Sequence, residues 1–143
     1  MTQSLHGMTL LVHDYDDAIA FFTRALRFEL CEDTPLGGGR RWVRVAPAGN
    51  AHGASLVLAQ AATPAQRDTV GRQGGDRVLL FLHTRDFAAD HRHMRAHGVR
   101  FLEEPRHEAY GTVAVFEDLV GNRWDLLQPR GPTDAAEGPV AGG

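Results

Sequence analysis

Apolar positions along the chain switch twice between a near-continuous run and a three-to-four-residue spacing. The stretch "LLVHDYDDAIAFFTRAL" (10–26) is echoed by "LFLHTRDFAADHRHMRAH" (80–97). His13 and His83 stand 70 residues apart, as do Asp16 and Asp86. Each copy opens on an apolar strand, passes through an acidic helix start and continues as a helix. Ile19, Phe22 and Leu26 form one helical face, with Asp14 or Asp16 placed to cap it, and Phe87, His91 and Met94 form the matching stripe. Gly98 ends the second helix, since glycine accepts the left-handed conformation found there.

Three strands are predicted after each helix. In the first half they are Phe28–Asp33, Arg41–Ala46 and Ser55–Gln60, separated by PLGGG and PAGNAHG. In the second they are Val99–Glu103, Thr112–Glu117 and Arg123–Gln128, with Gly121-Asn122 closing the last hairpin. The pattern is βαβββ twice: an α+β fold of two modules forming a curved mixed sheet, helices on the convex side and a concave ligand cup on the other. One domain covers 1–129, with module 1 at about 6–60, a linker at 61–76 in which Thr63-Pro64 suits a short helix start, and module 2 at about 77–129. The Gly-, Ala- and Pro-rich stretch 130–143 reads as a flexible tail.

Strand side chains alternate between faces, and the most apolar alternate set should meet the helices. That set is Leu10 and Val12, Val43 and Val45, Leu56 and Leu58, Leu80 and Leu82, Val113 and Val115, Trp124 and Leu126. The other face then carries Cys31, Trp42, Arg44, Ser55, Phe81, His83, Phe116 and Asp125. Apolar walls holding a few polar groups suit a small-molecule cup. Asp125, set among Trp124, Leu126 and Leu127, is the candidate catalytic acid or base; the alternative is a structural hydrogen bond to backbone or to Arg44. Trp42 and Arg44 offer an aromatic wall and a cation for a planar or anionic ligand, or else pack and pair with each other. Phe81, His83, Tyr110 and Phe116 complete the expected ligand-binding set, with Tyr110 in a covering loop, "PRHEAYG" (105–111).

Composition narrows the chemistry. The formal charge of −3 is spread over 15 basic and 18 acidic residues, interspersed along the chain, which argues against a nucleic-acid groove. Every basic residue is Arg, removing Schiff-base chemistry. Cys31 is the single cysteine, so intrachain disulfides and multi-cysteine zinc sites are excluded, and its thiol reads as structural or incidental. Ser4 and Ser55 are the only serines, and neither sits in a G-x-S-x-G elbow. MTQSLHGM has no signal pattern and no apolar run approaches the roughly 18 residues that span a bilayer, so a cytoplasmic protein without membrane partners is expected. His93 and His97, one helical turn apart near Asp90, suit adventitious metal binding on an outer helix face.

The paired pattern, with "VHDYDDAIAFFTRALRFEL" near the start and "GVRFLEEPRHEAYGTVAVFEDLVGNRWDLLQP" at the end, resembles the vicinal oxygen chelate superfamily over residues 6–129. That group includes glyoxalase-type lyases, epimerases, extradiol dioxygenases, and the fosfomycin and bleomycin resistance proteins. The resemblance implies fold more than reaction. In metal-dependent members a His, Gln or Glu near the first strand and a carboxylate in the last strand of each module hold the ion. Those slots fall here on Gly7, beside His6; on Val57 or Ser55; on Arg77 or Leu79; and on Asp125. One carboxylate is too few for a catalytic ion, so no metal or other cofactor is expected, a divalent ion entering only if the strand register differs. The resemblance therefore implies a metal-independent small-molecule-binding protein, a homodimer by analogy with the resistance proteins. The alternative is a lyase or isomerase acting beside a carbonyl, with Asp125 as base and Arg44 or Tyr110 stabilising an enolate-like charge. A dioxygenase, which needs an iron site, ranks third.

Overall fold

A computed structural model describes residues 2–50 and 53–131; the expected tail from 132 onward lies outside them. The fold is α+β with two mixed sheets, and the chain divides into two compact units. One runs from the start of the chain to Gln73 and includes Leu119–Gly121; the other comprises Gly74–Asp118 and the chain from Asn122.

In the first unit β1 (Gly7–Val12) leads into helix α1 (Tyr15–Ala20), which continues as a π turn, Phe21–Ala25. Asp14 caps α1, its carboxylate accepting from the Asp17 N–H at 2.8 Å. Strands β2 (Phe28–Gly37), β3 (Arg40–Pro47) and β4 (Ser55–Gln60) follow, and the sheet order is β1-β4-β3-β2, with β1 and β4 parallel. The β2–β3 hairpin turns through Gly38 and Gly39 at φ +64° and +81°; the space around both is open, so the backbone conformation is what demands glycine. Leu10, Val12, Val43, Val45 and Leu58 are fully buried on the helix side, together with Ala18 and Phe22 of the helical segment. Arg41 ties helix to hairpin: it donates to Asp16 at 2.9 Å and to Asp33 at 2.7 Å, with its guanidinium 5.1 Å from the centre of the Tyr15 ring. These hydrogen bonds hold the Asp33 carboxyl below its ordinary range. On the outer edge of β1 the Gln73 side chain accepts from Leu11 N–H at 2.7 Å and donates to the Thr9 carbonyl at 3.0 Å. Helix α2 (Pro64–Thr69) begins at the predicted place, its N-cap Thr63 accepting from Gln66 N–H at 3.1 Å.

In the second unit β5 (Val78–His83) is followed by α3 (Phe87–Ala96), capped by Asp86. Strands β6 (Arg100–Phe101), β7 (Arg106–Glu108), β8 (Gly111–Glu117) and β9 (Arg123–Pro129) complete the sheet, ordered β5-β9-β8-β6 with β7 also on β8. Gly98 takes φ +81° just after α3, as its helix-ending role requires. An aromatic line runs from helix to sheet: Phe87 stacks on His91 at 5.4 Å, His91 meets Phe101 at 4.4 Å, and Phe101 and Trp124 each lie 5.6 Å from Phe116. Burial and the nearby Arg95 hold the His91 imidazole below its usual pKa.

This line corrects one expectation. In the β8–β9 ladder Phe116 pairs with Trp124 and Ala114 with Leu126, whereas Val115 pairs with Asp125 and Val113 with Leu127. Directly paired residues share a face, so Phe116 and Ala114 look toward α3, and Val113 and Val115 look away. The segment "TVAVFE" is apolar at both parities, so burial alone could not choose between them; the bulkier ring took the helix side. The covering loop is corrected too: residues 106–108 form a strand on β8, turned back through Ala109 and Tyr110.

Candidate functional site

Each unit presents a sheet face turned away from its helix. On the first unit that face carries a polar network around Arg44, whose side chain is 17% exposed. Arg44 Nε donates to Glu32 Oε1 at 2.5 Å, and Trp42 Nε1 donates to the same oxygen at 3.3 Å. Arg44 Nη1 donates to Ser55 Oγ at 2.9 Å, and the Ser55 hydroxyl donates in turn to the His6 carbonyl at 3.0 Å. These bonds hold the Glu32 carboxyl below its ordinary pKa, first through Arg44 and then through Trp42. Trp42 and Arg44 therefore meet on Glu32 instead of pairing with each other. A cleft of about 210 Å³ opens beside them, lined among others by His6, Glu29, Cys31, Arg44 and Ser55. Glu32 was absent from the expected site because the β2 ladder slips between Leu30 and Glu32, which changes the parity of the strand from there until a second slip between Pro35 and Gly37. The signal available in the sequence is that a half-buried Arg44 needs a carboxylate partner across the hairpin.

On the second unit Asp125 sits in the open face, paired with Phe81 of β5 on one side and Val115 of β8 on the other. Phe81 is 55% exposed, Leu127 is buried, and His83, paired with Leu127, is exposed. Asp125 Oδ1 is buried and accepts no hydrogen bond from the described residues. Burial raises the Asp125 carboxyl above its ordinary pKa; Arg106 opposes the rise and Glu103 adds to it. Arg106 is engaged twice: its Nε donates to Glu103 Oε1 at 2.9 Å and its Nη1 to Glu108 Oε1 at 3.2 Å. Glu103 Oε2 accepts from the Val115 N–H at 2.9 Å. Glu103 is a second residue missed from sequence, because it lies in the irregular step between β6 and β7. Of the expected ligand-binding residues in this unit, Phe81 and His83 share the Asp125 face and Tyr110 lies in the turn between β7 and β8. Phe116 has no exposed surface and lies on the other face. A larger hollow of about 520 Å³ lies between α3 and β6, lined by His91, Arg95, Phe101 and Glu104 among others.

The state of Asp125 has a measurable consequence. Its burial penalises the charged form, so the penalty is absent below the ordinary carboxyl range near pH ~4, grows as pH rises through the raised folded-state value, and is full above it. Asp125→Asn is expected to raise stability at neutral pH by about 1 kcal/mol, with the gain shrinking toward acid. Denaturant unfolding of both proteins across the acid-to-neutral range checks this.

Two of the positions that correspond to a metal site in related folds, Gly7 and Ser55, do not suit a divalent ion. A Cβ on Gly7 would come within 2.7 Å of the Ser55 carbonyl oxygen, leaving no room for a ligating side chain. The Ser55 hydroxyl is engaged by Arg44, whose guanidinium would repel a cation there. Among the described residues no three His, Cys, Asp or Glu side chains are grouped to hold a metal. The rings of His93 in α3 and His97 at its C-terminal cap lie with centres 4.1 Å apart.

Comparison with known proteins agrees with the fold. The sequence is 50% identical over 129 residues to an uncharacterised protein of Shewanella frigidimarina, covering 90% of this chain and 95% of that one. The crystal structure of TnmS3, an antibiotic binding protein from Streptomyces sp. CB03234, superposes with a TM-score of 0.72 at 32% identity, over 91% of this chain and 99% of that one. A superfamily member from Sphaerobacter thermophilus gives a TM-score of 0.74 at 25% identity, over 88% and 97% of the two chains. Residues 4–126 match the family model described as the Glyoxalase/Bleomycin resistance protein/Dioxygenase superfamily. With that match spanning most of the sequence, and a strand–helix–strands unit in each half behind it, the chain belongs to this superfamily.

Proposed function

We propose that the protein is a metal-independent small-molecule-binding protein whose ligand contacts lie on the open sheet faces. The observation that carries the reading is Asp125: a desolvated carboxyl with a partnerless oxygen, beside a largely exposed Phe81, on a face where Val115 and Leu127 supply apolar wall. Burying an unpaired acceptor costs free energy that an added donor recovers, and such sites are retained where a ligand completes them. On the first unit Trp42 and Arg44 present an aromatic surface and a cation beside the cleft, with Glu32 fixing both. Likeness to an antibiotic binding protein supports an antibiotic or similar small organic ligand. The working form is a homodimer in the cytoplasm, the dimer being checked by sedimentation equilibrium.

A thermal-shift screen of planar aromatic antibiotics, 2-oxo acids and glutathione thioesters, with mass analysis of the recovered compound, tests the reading. Stabilising compounds should return unchanged. Trp42→Ala and Arg44→Ala should weaken at least one of them about tenfold or more. Unaltered affinity for every stabilising compound in both variants, and in Asp125→Asn, would end the proposal.

A second reading draws on the raised pKa of Asp125, which suits a general base for proton abstraction beside a carbonyl. In that case a stabilising 2-oxo compound would exchange its α-proton for deuterium in heavy water, and Asp125→Asn would stop the exchange. The absence of exchange in any stabilising carbonyl compound would exclude it.

A further inference from the structure

We infer that the open face of the second unit is built for a ligand bearing a protonated amine, which donates to Asp125 while an attached aromatic or apolar group lies against Phe81. The inference rests on the small-molecule reading above and names the chemical class that reading leaves open. Three observations carry it. Among the described residues no donor reaches the Asp125 side chain: Oδ1 is enclosed and unpartnered, so the carboxyl has acceptor capacity to spare and a ligand donor meets it through its other oxygen. The cation that acts on Asp125, Arg106, has its Nε given to Glu103 and its Nη1 to Glu108. An anionic ligand group would meet Asp125 and Glu103 with a guanidinium already shared between two carboxylates.

The neighbouring surface fits the rest of such a molecule. Phe81 stands directly across from Asp125 in the β5–β9 pair and is 55% exposed, an uncovered aromatic ring beside an unpaired carboxyl. A cation held at Asp125 also lies within reach of that ring's negative face. Val115 closes the opposite side. A charge-assisted hydrogen bond in a partly desolvated place is the strong kind, and a neutral hydroxyl at the same position gains less.

The test uses three probes that differ only in the polar group: 2-naphthylmethylamine, 2-naphthylmethanol and 2-naphthoate. Affinity is read by titration calorimetry, and location by amide shift changes at Phe81 and Val115 in the full chain. The amine is expected to bind at least about tenfold tighter than the alcohol, and the alcohol tighter than the carboxylate. Asp125→Asn, which should fold at least as well as the parent, should remove the amine's advantage while leaving the alcohol's affinity within about twofold. Phe81→Ala should weaken amine and alcohol together. Equal affinity of amine and alcohol, or a preference that survives in Asp125→Asn, would overturn the amine inference and leave the face as a ligand surface. No shift change at Phe81 or Val115 with any of the three probes would overturn that use of the face, and the inference with it.

Discussion

Phe116→Ala is expected to lower the stability of the protein by about 3–5 kcal/mol, the range for removing a large ring from a close-packed core. Phe116 is fully buried and lies at the centre of the line from α3 to β9, with Phe101 and Trp124 each 5.6 Å away. Truncation opens a hole walled by three strands and leaves Phe101 without the surface that holds it against His91. Because the residue faces the helix, the loss belongs to folding: the fraction that remains folded should bind any ligand of the Asp125 face as the parent does. Denaturant unfolding followed by calorimetry on the folded variant separates the two effects. A stability loss under about 1 kcal/mol together with lost binding would return Phe116 to the ligand face.

Asp118→Ala should cost about 3 kcal/mol or more, because one buried carboxyl satisfies three donors. Its Oδ1 accepts from the Asn122 N–H at 3.0 Å, and its Oδ2 accepts from Asn122 Nδ2 at 3.1 Å and from Trp124 Nε1 at 3.0 Å. Asp118, Asn122 and Trp124 are all buried, so water cannot replace the lost acceptor. The same carboxyl shapes the turn between β8 and β9 and fixes the Trp124 indole, hence the register that places Asp125 opposite Val115. Asp118→Asn keeps the shape and one acceptor and should lose less. Thermal unfolding of both variants, with Trp fluorescence as the probe, gives the order; equal and small losses would show that the turn is held by other contacts.

The parity of β9 is legible in the sequence because its two alternate sets differ: Trp124 and Leu126 against Arg123 and Asp125. The same holds for β3, where Val43 and Val45 oppose Trp42 and Arg44. It fails for β8, where Val113, Ala114, Val115 and Phe116 are all apolar, and the choice of face depends on which residue fits beneath Phe101. The repeat locates both helices, but not the first cap: Asp16, 70 residues before Asp86, pairs with Arg41, and it is Asp14 that accepts the N–H three residues on, as Asp86 does in the second helix. Glu32 is not legible because one inserted residue before it reverses the alternation on which face assignment depends, and Glu103 because it lies between β6 and β7, where no strand alternation applies. The partnerless state of Asp125 is likewise beyond the sequence, which offers Arg44 as its partner as readily as none. Only the register, with Arg44 held by Glu32 and Ser55, removes that option.

The Gln73 side chain on the edge of β1 does the work of a peptide group. Its carboxamide accepts from Leu11 and donates to Thr9, the two-residue step that a neighbouring strand would use, so a single side chain stands in for one rung of a ladder. A frame shift of β1 by one residue would turn Leu10 and Val12 outward and forfeit both bonds at once. The amide thus acts as a pawl on the opening strand, and it leaves that length of the border closed to foreign backbone seeking to dock there.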